Sequence, residues 1–110
     1  MPSEQVPAES RRARIRFLTP EEGGRQIAPA SGVRSQIEVG EFQTSCVVES
    51  DAGLELLPLG EEMDVRIRVM FPEAAGPAFA KLAVVELFEG NRRVATGQFL
   101  DEPRSNESSG

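Results

Sequence analysis

Cys46 is the only thiol in the chain, and no histidine stands anywhere in the sequence. A nucleophilic thiol needs a base or a lowered pKa, so a Cys–His pair is excluded within these residues, and Ser31 and Ser35 lack a base for the same reason. Cys46 is expected to face the core as a small hydrophobe. Glu49, Asp51, Glu55, Glu61, Glu62 and Asp64 offer oxygens that a divalent cation takes, but without the fixed spacing and glycine of a calcium loop. No carboxylate pair is singled out for acid–base work. The expectation is a protein that is not an enzyme, with no catalytic residue, no metal and no cofactor. What remains is arginine. Arg25, Arg34 and Gln36 stand in one long connection, and a guanidinium fork suits phosphate or carboxylate. Arg14 and Arg16 alternate along one run, Arg66 and Arg68 along another. Were those runs neighbours, they would form a four-arginine stripe: either an anion-binding surface or a solvated face balanced by glutamates on adjacent strands.

The connection from Leu18 to Gln36, LTPEEGGRQIAPASGVRSQ, must position the first group. Thr19 suits a helix cap, Pro20 the first helical position, and Glu22 the place from which a capping-box carboxylate reaches back. Gly23-Gly24 stops the turn at once, because glycine tolerates the positive φ of a tight reversal.

The other elements read as strands. Ala13, Ile15 and Phe17 alternate with Arg14, Arg16 and Leu18. Val33 to Val39 alternates less cleanly, and Phe42 to Val48 follows Gly40 with residues suited to a pleated surface. In Met63 to Phe71, Val65, Ile67, Val69 and Phe71 point one way and Asp64, Arg66 and Arg68 the other, until Pro72 ends the run. Phe79 to Phe88 is mostly apolar. A helix competes there, but a strand is preferred because Glu89-Gly90-Asn91-Arg92 follows as a hairpin turn. Arg92 to Leu100 returns, with Val94 and Phe99 as core contacts. About six strands, short turns and no long helix predict an all-β fold, a small closed antiparallel barrel of Greek-key type. Residues 1–12 read as a disordered arm, 13–100 as the barrel and 101–110 as a disordered tail.

Composition fits this picture. The chain has 110 residues, one domain's worth, with 39% hydrophobic and 27% charged residues. Its net charge of −6 argues against bulk nucleic-acid binding, which rests on a basic surface, but leaves room for a local arginine cluster. A single cysteine permits no internal disulfide, no stretch approaches membrane-spanning length, and the start MPSEQVPAESRR has no apolar signal core. A cytoplasmic setting without membrane association is expected.

The EEGGR run, followed by Gly32, Arg34 and Gln36, resembles the signature of the third, carboxy-terminal domain of bacterial elongation factor Tu. Pro58-Leu59-Gly60 sits where that family has a proline-glycine turn before a valine-rich strand, here MDVRIRVMF, which also ends in a proline. The run from Glu89 to Gly97 resembles the family's EGGRTVGAG. The likeness spans about Ile15 to Phe99. It departs at Val33 and Ser35, where the family has an aromatic and a proline, and at Gln26 and Ile27, where it has histidine and threonine. An arginine before the family's last hairpin has no equivalent in KLAVVELFEG. No G-x-x-x-x-G-K-[ST] run is present, so GTP is not an expected ligand.

In that family the third domain grips aminoacyl-tRNA and touches protein partners. The resemblance implies contact with RNA or a partner at Arg25, Arg34, Gln36 and Gly97: arginine on phosphate, glutamine on a ribose hydroxyl, glycine where backbone approaches backbone. The competing reading is that Arg25 and Arg34 tie the long loop to the barrel. The functional expectation is a module docking a protein partner, with an accessory role in binding tRNA as the alternative.

Overall fold

The alternating runs become six strands in the computed structural model, which describes residues 10–100: β1 (Ser10–Phe17), β2 (Val33–Val39), β3 (Phe42–Ser50), β4 (Glu62–Val69), β5 (Val84–Glu89) and β6 (Arg92–Phe99). They close into one antiparallel barrel in the order β1-β4-β3-β2-β5-β6. Consecutive β2, β3 and β4 form a meander and β1 lies beside β4, which is the Greek-key arrangement. Closure removes the exposed edges of an open sheet. The period-two pattern explains the core: Ile15, Phe17, Ile37, Val39, Val48, Val65, Ile67, Val85 and Leu87 all point inward and are fully buried. Each contributes about 1.5–3 kcal/mol relative to exposure.

Three boundaries differ from the sequence reading, one of them at the end of β4, which stops at Val69 and leaves Phe71 56% exposed instead of in phase with Val65 and Ile67. Ser10, Arg11 and Arg12, assigned there to the arm, open β1, so the arm and tail reduce to residues 1–9 and 101–110, which lie outside the described residues. Phe79, Ala80 and Lys81 are not strand. They close a ten-residue helix, α1 (Pro72–Lys81), and β5 starts only at Val84. β4 has already ended at Val69, and Pro72 occupies the helix's first turn, where its missing N–H costs nothing. Glu73 near the start and Lys81 near the end suit the helix dipole. Pro77 inside the helix disfavours it, but burial of Ala75 and Phe79 against the barrel outweighs that local cost.

The barrel therefore has two unlike ends. At the helix end, β2 turns into β3 and β4 runs into α1. At the loop end lie residues 18–32, residues 51–61 and the β5–β6 hairpin. No helix among the described residues is long and apolar enough to cross a membrane.

Candidate functional site

The Leu18–Gln36 connection forms its turn as the sequence implies. Pro20–Glu22 makes one 3-10 turn, the Thr19 N–H donates to Glu22 Oε1 at 2.9 Å, and Gly23 follows at φ 87°. Gly24 has a second reason to be glycine, since a Cβ there would run into the Leu18 carbonyl. The loop then leans on the β5–β6 hairpin. Arg25 donates from Nη1 to Glu89 and from Nε to the Ile27 carbonyl at 3.1 Å, and Arg92 donates to the Gly24 carbonyl at 3.3 Å. A groove of about 200 Å3 remains between Arg25, Gln26, Ile27, Glu89 and Arg92.

The four residues singled out by sequence do not converge on one site. Arg25 is engaged within the chain, as the loop-tying reading requires. Arg34 and Gln36 share the outward face of β2; Gln36 donates to Ser45 Oγ at 3.1 Å, while Arg34 is exposed and has no carboxylate partner among the described residues, so it ties nothing down. Gly97 lies elsewhere, on β6 in register with Ile15 of β1 and Val85 of β5, beside a groove of about 450 Å3 lined by Arg14, Arg16, Glu62, Thr96 and Gln98. A Cβ at Gly97 would strike the Arg14 carbonyl and Ile15 Cα.

The arginine stripe also resolves. β1 and β4 are neighbours, but Arg14 falls opposite Asp64 and Arg16 opposite Glu62. Arg14 Nε bonds Asp64 at 2.8 Å, Arg16 bonds Glu22 at 2.9 Å, and Asp51 accepts from Arg12 at 2.9 Å with Arg66 at 3.9 Å. Most of the stripe is thus a solvated, internally balanced face. The Arg14 hydrogen bond holds the Asp64 carboxyl below its usual range, and Arg16 with the Thr19 N–H does the same to Glu22. A lowered folded-state pKa gives stability that is present above the unfolded value, near pH 4, and is lost as pH falls through the folded value. Acid titration should therefore destabilise the barrel below about pH 4. The slope in this region should be shallower in Asp64→Asn, as read by urea midpoints across pH; an unchanged slope would remove this pair from the explanation.

One arginine escaped the sequence reading. Arg11 is in phase with Ala13, Ile15 and Phe17, faces inward and is 3% exposed. Its Nη1 donates to the Phe79 carbonyl at 2.6 Å, and its guanidinium lies 3.9 Å from the Phe99 ring centroid. It clamps the end of α1 to the barrel. Cys46 is fully buried, and burial pushes its thiol up to about 12, so it stays protonated. Among the described residues no three His, Cys, Asp or Glu side chains gather to hold a metal ion.

The loop end displays apolar side chains that the sequence reading did not single out. Ile27 is 74% exposed, Leu54 46% and Leu56 58%. Their loops are not slack. Ser31 N–H donates to Glu55 O at 2.9 Å, Leu57 N–H to Pro29 O at 2.8 Å, Ala30 bridges Leu56, and Leu57 is driven fully into the core. Ser50 Oγ accepts from the Ala52 and Leu54 N–H groups. Leu57 alone of the Leu54-Glu55-Leu56-Leu57 run is buried, and no local pattern in that run marks which leucine turns inward.

No family model matches the chain, and no curated protein matches it.

Proposed function

We propose that the barrel is a non-catalytic binding module that docks a protein partner through its loop end. The observation that supports this most directly is the exposure of Ile27, Leu54 and Leu56 on two loops stitched together by backbone hydrogen bonds. Apolar residues scattered singly on a surface need no explanation, and Phe42, Phe71 and Val84 are exposed at the helix end as well; what sets the loop end apart is that backbone hydrogen bonds pin its two loops to each other, so their ordering entropy is largely spent on folding. The buried, protonated Cys46 and a chain without histidine support a non-enzymatic role. Kinship with the third domain of elongation factor Tu, and with it a translation-linked partner in the cytoplasm, belongs to the same proposal. The small closed antiparallel barrel and the capped turn at Thr19–Gly23 support it.

The test is capture from host lysate with wild type and with Leu54→Asp/Leu56→Asp in parallel. Both positions are exposed, so the variant should keep its urea midpoint while losing at least about tenfold of the captured partner, a loss of 1.4 kcal/mol or more. A variant that captures the same proteins as wild type would overturn docking through this end. An accessory RNA-binding role is a second reading, favoured by the exposed Arg34 beside Gln36 on β2. Engagement of Arg25 by Glu89 counts against it. Enrichment of tRNA in the same eluate, lost in Arg34→Gln, would decide for it.

A further inference from the structure

The outward arginines of the strands divide into two groups. Arg12, Arg14, Arg16, Arg66 and Arg93 each reach a carboxylate, and Arg92 donates to the Gly24 carbonyl. Arg34 and Arg68 have no carboxylate partner among the described residues, although acidic residues outnumber basic ones, 18 to 12. The two are related by register. Arg34 of β2 pairs with Val47 of β3, and Val47 pairs with Arg68 of β4. All three point outward, so Arg34 and Arg68 flank half-buried Val47 with Cα atoms about 10 Å apart, two strand spacings. Gln36 and Ser45 form the next row along the same face. The nearest carboxylate along β3 is Glu49, which registers with Arg66 and ion-pairs with neither free arginine.

We propose that Arg34, Val47 and Arg68 form a three-point site for an extended acidic protein segment. Its carboxylates at positions i and i+4 would meet the two guanidiniums and its apolar residue at i+2 would rest on Val47. Residues i, i+2 and i+4 of an extended chain share one face, and i and i+4 lie about 13 Å apart, within the reach of two flexible arginines set about 10 Å apart. Guanidinium forks take carboxylates in paired hydrogen bonds, and the apolar centre discriminates against a plain polyanion. The site rests on the docking reading above and adds a second contact of different chemistry.

The test uses the full 110-residue chain, labelled with 15N, and the blocked peptide Ser-Glu-Ser-Leu-Ser-Glu-Ser. The Nε–H signals of Arg34 and Arg68 and the Val47 amide should shift saturably, while those of Arg14 and Arg16 stay in place. Arg34→Gln/Arg68→Gln should weaken binding at least about tenfold, as should replacing both peptide glutamates by glutamine. Leu54→Asp/Leu56→Asp should bind the peptide as wild type does, so failure of the loop-end contact leaves this readout intact. No saturable shift up to about 5 mM peptide, equal binding by the glutamine peptide, or insensitivity to the double variant would each overturn the site. Shifts produced by oligouridylate but not by the peptide would assign the same arginines to RNA and overturn it equally.

Discussion

Arg11→Ala is expected to lower the unfolding free energy by about 3 kcal/mol, with a fall in melting temperature of roughly 15 °C for a domain of this size. The side chain joins three elements: β1 carries it, the Phe79 carbonyl in the last turn of α1 accepts its Nη1 proton at 2.6 Å, and the Phe99 ring of β6 stacks 3.9 Å from it. A hydrogen bond from a charged donor contributes about 1.5–3 kcal/mol, and a desolvated cation over an aromatic ring about 2. These contributions overlap, since both depend on one guanidinium position, so the expected loss is below their sum. The guanidinium also lies 5.7 Å from the Phe79 ring centroid, and the two rings it touches meet edge to face at 5.5 Å. Arg11→Lys keeps the charge but not the planar fork, and should lose about half as much. Urea unfolding of the three proteins measures this. An alanine variant within about 1 kcal/mol of wild type would mean that α1 is held by Phe79 burial alone.

Arg11 also marks where sequence reading stopped short. The strand period placed Ala13, Ile15 and Phe17 inside, and the same parity puts Arg11 inside with them, but an arginine is almost never fully buried and the flanking residues are polar. Its aromatic partners are 68 and 88 positions away, beyond any local pattern. The missed helix has a similar cause. Gly76-Pro77 argues against a helix locally, and only the barrel end that receives Phe79 makes one favourable. By contrast β4, the β5–β6 hairpin and the capped turn after β1 were legible, because alternation, a Gly-Asn pair and a capping box are local signals. For the candidate site, residue identities were legible and partners were not. Nothing near Arg25 in sequence names Glu89, and Arg34 stands out from Arg14 only once the strand register assigns carboxylates to one and none to the other.

Gly97 offers the sharpest separation between a site residue and a structural one. Gly97→Ala is expected to destabilise the barrel by about 3 kcal/mol, the upper range for overpacking, because the atoms it meets cannot move aside. The new methyl group would meet the Arg14 carbonyl and Ile15 Cα, which are backbone atoms and have no rotamer to yield. Relief requires β6 to move away from β1, across the seam that runs from Ala13↔Phe99 to Phe17↔Ala95. Moving β6 also disturbs its pairing with β5 at Val85, and shifts Phe99 from beneath Arg11. The loss should therefore appear as lowered global stability with faster amide exchange along β1 and β6. Thr96→Ala on the same groove, a partly exposed neighbour that keeps the backbone as it is, should stay within about 0.5 kcal/mol of wild type. A glycine kept so that a ligand's backbone can approach would behave the other way round: alanine would leave stability intact and weaken binding. If Gly97→Ala folds as stably as wild type, close packing of β6 on β1 is not why glycine stands there, and the 450 Å3 groove beside it regains its claim as a contact surface.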